Sequence, residues 1–225
     1  MGLGGTCEAL PITHLLYLHG FRSSPQSTKA RQFRDWVHAH RPDIHWWCPQ
    51  LPPSPREAIA LLAQGTADWS LARTAVVGSS LGGFYATVLA ERWDEAVRVV
   101  LLNPAVEPAR DLAHQIGEIT AWHSEERFFF RPEFIADLHD MTPAAITRPQ
   151  RYFAVIAKGD EVLDWREMTA RYAGCPMRLL EGGDHALSDF DASFAAVRDF
   201  LGLGGACRLI TSGSGSTPHG PRPRC

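Results

Sequence analysis

The sequence predicts an α/β fold, a mainly parallel sheet of about six strands with helices on both faces. Three observations predict it. Short runs rich in leucine, valine and isoleucine are apolar throughout, as strands buried on both faces are. Each run is followed by turn residues and then by a stretch of helical periodicity. The polar residues best suited to chemistry stand just after these runs, at the carboxyl ends where parallel sheets form their sites.

Taken in order, His14 to Leu18 reads as a buried strand leading into His19-Gly20-Phe21. Ser27 to His40 is helical, with Ala30, Phe33, Trp36 and Val37 on one face. Ile44 to Cys48 is a second strand stopped by Pro49, and Ser54-Pro55 opens a helix to Gln64, proline being preorganised for a first helical position. Thr74 to Val77 is the third strand, followed by a helix over Leu81 to Arg92. Val97 to Leu102, Tyr152 to Ala157 and Met177 to Leu180 complete the strands. A last helix is expected from Ser188 as N-cap, with Phe190, Phe194, Val197 and Leu201 in register.

Two segments break the rhythm. Residues 106–150 contain many aromatics and charges but no clear strand, and read as a helical insertion that covers the site as a lid. Residues 204–225 are mostly Gly, Ser, Pro and Arg without apolar period, and read as a disordered tail. The domain is therefore expected over residues 13–203.

Composition excludes several classes. Apolar residues are 45% and charged residues 21% of the chain, as in ordinary globular proteins. With a net charge of -3 and no recurring Lys/Arg block, nucleic acid is not an implied partner. No apolar run approaches the roughly 18 to 20 residues of a membrane span. The N-terminus carries no basic segment followed by an apolar one, so no secretory signal is read. Cys7, Cys48, Cys175, Cys207 and Cys225 are scattered without a C-x-x-C pair, so neither a disulfide framework nor a metal site is read, and a cytoplasmic protein is expected.

Chemistry enters at Gly78-Ser79-Ser80-Leu81-Gly82, between the third strand and its helix. A serine on so tight a corner has a strained backbone, and side chains two positions away would collide there, so glycine is required on both sides. Ser80 has glycine at both positions and Ser79 does not. The corner also presents the hydroxyl to solvent beside the free N–H groups of a helix start.

A serine hydroxyl needs a base, and the base needs an acid to fix its tautomer. On parallel sheets one known order is serine, acid, histidine, each after a strand. The fifth strand ends in Lys158-Gly159-Asp160-Glu161 and the sixth in Glu181-Gly182-Gly183-Asp184-His185, which makes Asp160 the candidate acid and His185 the candidate base. Asp164 and Asp184 compete for the acid role. Asp164 is better placed to cap the next helix, and Asp184 adjoins His185, where neighbouring side chains diverge. His14 and His45 lie at the wrong ends of strands, and His38, His40, His114, His123, His139 and His219 fall on helices, in the insertion or in the tail. His19 follows the first strand, where a second oxyanion-hole loop belongs. The expected donors there are the backbone N–H groups of Phe21 and Leu81, with the His19 imidazole bracing the loop.

The blocks YLHGFRSSPQSTKA (17–30), PQLPPSP (49–55), VGSSLGGFYAT (77–87), NPAV (103–106), GDEVLDW (159–165) and EGGDHALSDF (181–190) closely resemble the small bacterial YqiA/YcfP-like esterases of the alpha/beta-hydrolase superfamily. The resemblance spans about Leu15 to Leu203. It implies a minimal alpha/beta-hydrolase fold and carboxylester hydrolysis, with Ser80 as nucleophile, Asp160 as acid and His185 as base. The expected function is a cofactor-independent and metal-independent serine esterase acting on short to medium acyl esters. An acyl-CoA thioesterase and a non-catalytic ligand-binding member of the fold are the alternatives. Its expected partner is a small-molecule acyl ester or thioester, and oligomeric state is not legible.

Overall fold

The structure, a computed structural model, describes residues 10–93, 97–120 and 127–204. The expected tail from 205 onward, and Trp122 and His123 of the insertion, lie outside the described residues.

Six parallel strands form one sheet. They are β1 (His14–Leu18), β2 (His45–Trp47), β3 (Thr74–Ser79), β4 (Arg98–Leu102), β7 (Tyr152–Ala157) and β8 (Met177–Leu180), in the spatial order β2-β1-β3-β4-β7-β8. Each adjacent pair is parallel, with Leu18 beside Gly78 and Ser79 beside Leu102 at the carboxyl ends. The central strands are buried on both faces, which is why they read as continuous apolar runs.

Alternate strand residues feed two cores. Leu16, Leu18, Val76, Val99, Leu101 and Ile156 face one side, packed by α2 (Pro55–Gly65), α3 (Leu81–Arg92) and α6 (Trp165–Arg171). Leu15, Tyr17, Val77, Val100, Leu102 and Val155 face the other, packed by Phe33 and Val37 of α1 (Thr28–His40) and Phe194, Val197 and Leu201 of α7 (Asp191–Leu201). The chain thus covers both faces of its sheet as the apolar pattern predicts.

The N-terminus of α2 follows its sequence signal. Ser54 accepts a hydrogen bond from the Glu57 N–H at 3.3 Å, and Pro55 holds the first helical position. The last helix does not. It begins at Asp191, because Ser188 is held elsewhere: its N–H and hydroxyl both donate to the Asp184 carboxylate, at 2.8 and 2.6 Å. A left-handed Gly202 (φ 70°) closes α7.

The insertion also differs from expectation. Besides the short α4 (Pro108–Asp111) and α5 (Pro132–Met141), it holds an antiparallel hairpin of β5 (Gly117–Thr120) and β6 (Arg127–Phe130). Arg127-Phe128-Phe129-Phe130 lacks the apolar–polar alternation that marks a half-buried strand, so the ribbon is invisible to period counting. Its fold is set by packing instead: Phe130 is buried, and Phe128 meets the Phe21 ring edge-on.

No helix among the described residues is long and apolar enough to cross a membrane.

Candidate active site

Ser80 stands on the corner between β3 and α3 with φ 55° and ψ −122°, a conformation that L-residues rarely adopt. The surrounding backbone over-determines it. The Ser80 N–H donates to the Leu102 carbonyl at 3.0 Å, and the Ser80 carbonyl accepts from Ala105 at 3.0 Å and Gly83 at 2.9 Å. The flanking glycines are obligatory. A Cβ at Gly82 would stand 2.1 Å from the Leu18 carbonyl oxygen, and one at Gly78 would stand 2.3 Å from that of Gly82.

His185 lies on the loop after β8. Its Nε2 is 3.0 Å from Ser80 Oγ, and its Nδ1 is 2.8 Å from Asp160 Oδ2. With the proton on Nδ1, Asp160 accepts it and Nε2 accepts from the serine hydroxyl. The Asp160 side chain is fully shielded from solvent, while that of His185 is 21% exposed. Asp160 cannot turn away, because its Oδ1 accepts from the N–H groups of Val162 and Leu163, both at 2.8 Å. These three residues, 25 and 105 positions apart in sequence, form one unbroken chain of contacts.

The competing acids are occupied. Asp164 caps α6, accepting from the Arg166 N–H at 2.9 Å. Asp184 is engaged by Ser188, whose hydrogen bonds hold its carboxyl below the usual range.

Two loops meet backbone to backbone to bring acid and histidine together. A Cβ at Gly159 would lie 2.2 Å from the Gly183 carbonyl oxygen, so glycine is required before Asp160. The histidine loop is held from other sides as well. The side-chain amide of buried Asn103 donates to the carbonyls of Asp184 and His185, at 3.0 and 3.2 Å. Glu161 accepts from the His185 N–H at 2.9 Å, and the Lys29 ammonium donates to the Ala186 carbonyl. Sequence reasoning missed Asn103, Glu161 and Lys29 as supports. Their only signal is position within the blocks NPAV, GDEVLDW and STKA.

Phe21 and Leu81 both line the cleft that opens over Ser80. Leu81 is the first residue of α3, so its N–H has no carbonyl partner inside the helix. The loop carrying Phe21 runs beside the serine: a Cβ at Gly20 would sit 3.1 Å from Ser80 Cβ. His19 braces that loop, its Nδ1 donating to the Gly20 carbonyl at 2.9 Å and its Nε2 accepting from the Leu51 N–H at 3.1 Å. Burial lowers its pKa, which keeps this neutral bridging tautomer.

The cleft has a volume of about 770 Å³, within the range of small-molecule sites. The insertion contributes to it through Pro108, Asp111, Leu112 and His114, near its beginning. The hairpin aromatics sit elsewhere. Phe128 and Phe130 pack on the Phe21 ring and do not themselves line the cleft, and Phe129 is exposed. No cluster of three or more His, Cys, Asp or Glu suited to a metal occurs among the described residues.

Several solved structures share this architecture. Mouse alpha/beta hydrolase domain-containing protein 10 superposes with a TM-score of 0.62 at 16% identity, covering 84% of this chain and 90% of that chain. Est1E from Butyrivibrio proteoclasticus, solved with ferulic acid bound, gives 0.63 at 14% identity, with 85% and 88% covered. A structure from the metagenome-derived lipolytic enzymes LipS and LipT gives 0.60 at 18% identity, with 86% and 95% covered. At such identities the likeness establishes the alpha/beta-hydrolase fold. Residues 14–202 match the model of the uncharacterised protein family UPF0227, the YqiA/YcfP family, and the chain belongs to it.

Proposed function

We propose that the protein is a serine esterase that hydrolyses short- to medium-chain acyl esters without cofactor or metal. The reading is carried by the hydrogen-bonded chain Ser80–His185–Asp160 at the carboxyl ends of β3, β8 and β7. Esterase and lipolytic names among proteins of the same fold agree with it.

In this mechanism His185 Nε2 takes the Ser80 proton as Oγ attacks the ester carbonyl carbon. Asp160 holds the imidazole in the required tautomer and stabilises the imidazolium that forms. The oxyanion of the tetrahedral intermediate is received by the N–H groups of Phe21 and Leu81. His185 returns the proton to the departing alcohol, which leaves an acyl group on Ser80. Water, deprotonated by the same histidine, attacks that acyl carbon, and His185 gives the proton to Ser80 Oγ as the acid is released. The first part of the insertion acts as a cover over one side of the reaction. The scattered cysteines, of which Cys48 and Cys175 are free, agree with a reducing, cytoplasmic setting.

The test is a panel of acyl esters and acyl-CoA thioesters of graded chain length. Turnover of short and medium esters supports the reading. Efficiency rising to long-chain thioesters beyond every ester overturns it in favour of a thioesterase.

A further inference from the structure

The cleft lining is of two kinds. Leu81, Ala105, Leu112, Val162 and Leu163 are apolar, while the loop after β1 and the start of α1 bring Arg22, Ser27 and Lys29, and the insertion brings Arg110 and Asp111. A simple aliphatic ester would use only the apolar lining.

Lys29 is half-buried in the cleft lining, on the residue pair that opens α1. Its ammonium donates to the Ala186 carbonyl, one residue beyond His185, which leaves further N–H donors unspent. Among the described residues no carboxylate forms an ion pair with it. The two carboxylates that act on it at longer range, Asp184 and Asp160, are already bonded to Ser188 and to His185, Val162 and Leu163. Burial pushes its pKa down to about 8, against the opposing pull of those two carboxylates. The insertion's cation in the cleft lining, Arg110, is satisfied by Asp111 and a two-pronged contact with Glu167. An ammonium drawn partly out of water without a counter-ion is unfavourable, and an incoming anion relieves that cost.

We infer that the cleft takes an ester bearing a second, anionic group, a carboxylate or a phosphate, which pairs with Lys29 while the ester carbonyl lies at Ser80. The inference rests on the esterase reading for the position of the ester and adds the chemical class of the substrate. The apolar lining receives the acyl chain, and Lys29 selects the charged end. A charge-assisted contact in a sheltered cleft is among the stronger single contributions to recognition.

Binding and hydrolysis are measured separately. Ser80→Ala protein is titrated by NMR with ethyl butyrate, with monoethyl glutarate and with the butyrate ester of 2-hydroxyethyl phosphate. The same titrations are run with Lys29→Met and Lys29→Arg added. The expected result is that an anionic ester binds about ten-fold or more tightly than ethyl butyrate. Lys29→Met should remove that margin and Lys29→Arg should keep most of it. The anion with the larger margin, carboxylate or phosphate, identifies the source. Equal Kd values for all three esters overturn the inference. So does a Lys29→Met variant that weakens neutral and anionic esters by the same factor, since Lys29 would then serve only to hold Ala186. Wild-type hydrolysis of ethyl butyrate tests the esterase reading independently, because it needs no anion.

Discussion

Asn103 holds His185 in place from the end of β4. Its side-chain amide donates to the His185 carbonyl at 3.2 Å, while its side-chain oxygen accepts from the Ala157 N–H at 2.8 Å. Fully buried and at φ 41°, it ties three strand ends together at the point where the histidine loop must not move. Asn103→Ala leaves the buried Ala157 N–H and the part-buried Asp184 and His185 carbonyls without this partner. Each such group costs about 1 to 3 kcal/mol, so urea denaturation should show a loss of roughly 3 kcal/mol. Turnover should fall with it. A variant of unchanged stability would refute this bracing role.

The glycines around the corner make a sharper contrast. Gly82→Ala and Gly78→Ala would drive a Cβ into backbone atoms at 2.1 and 2.3 Å, and should destabilise the fold or abolish activity by moving Ser80. Gly182→Ala meets nothing within 4 Å. It should stay within about 0.5 kcal/mol of wild type. Thermal melts of the three variants check both halves of this statement.

The acid is tested by isosteric change. Asp160→Asn keeps the shape but disfavours the Nδ1-protonated imidazole, and should lower turnover by about 10⁴-fold with the fold intact. Asp164→Asn weakens a helix cap and should cost less than about 2 kcal/mol of stability, with turnover reduced less than ten-fold. Asp184→Asn, which disturbs the Ser188 contacts, should also stay within about ten-fold in turnover. Kinetics and melts on all three distinguish the roles. If Asp164→Asn or Asp184→Asn were the crippling change, Asp160 would lose its place.

Phe21 joins a proposed role to an observed one. In the proposed mechanism its N–H receives the oxyanion, and its ring packs edge-on against Phe128 and Phe130, with centroids 6.2 and 5.2 Å away. Phe21→Pro removes the N–H and should cost roughly 2.7 to 4 kcal/mol of transition-state stabilisation. Phe21→Ala should keep most of kcat, with its effect in stability and KM. Equal loss of kcat in both variants would move the role from the amide to the ring.

Where the sequence is informative, local covalent constraints make it so. Ser80 stands out because only glycine fits at 78 and 82, and a steric requirement of that kind leaves a direct mark on residue type. The parallel sheet is legible because β1, β3, β4 and β7 are buried on both faces. The pairing of His185 with Asp160 follows from their placement after consecutive strands of the sheet, β7 and β8, which pair in register. What stays hidden depends on partners far away in the chain. The hairpin of β5 and β6 is set by Phe128 and Phe130 meeting Phe21, which no periodicity encodes. The start of α7 shifts because Asp184 captures Ser188. Asn103, Glu161 and Lys29 are ordinary polar residues until folding brings them around the histidine loop.

The central claim is that Ser80 is the nucleophile. The most direct measurement is labelling of the full chain with a fluorophosphonate, followed by peptide mapping. The account predicts a single adduct on Ser80, lost in Ser80→Ala together with ester hydrolysis, while Ser79→Ala still labels and keeps much of its activity. An adduct mapped to Ser79, or ester hydrolysis that survives Ser80→Ala, would contradict it.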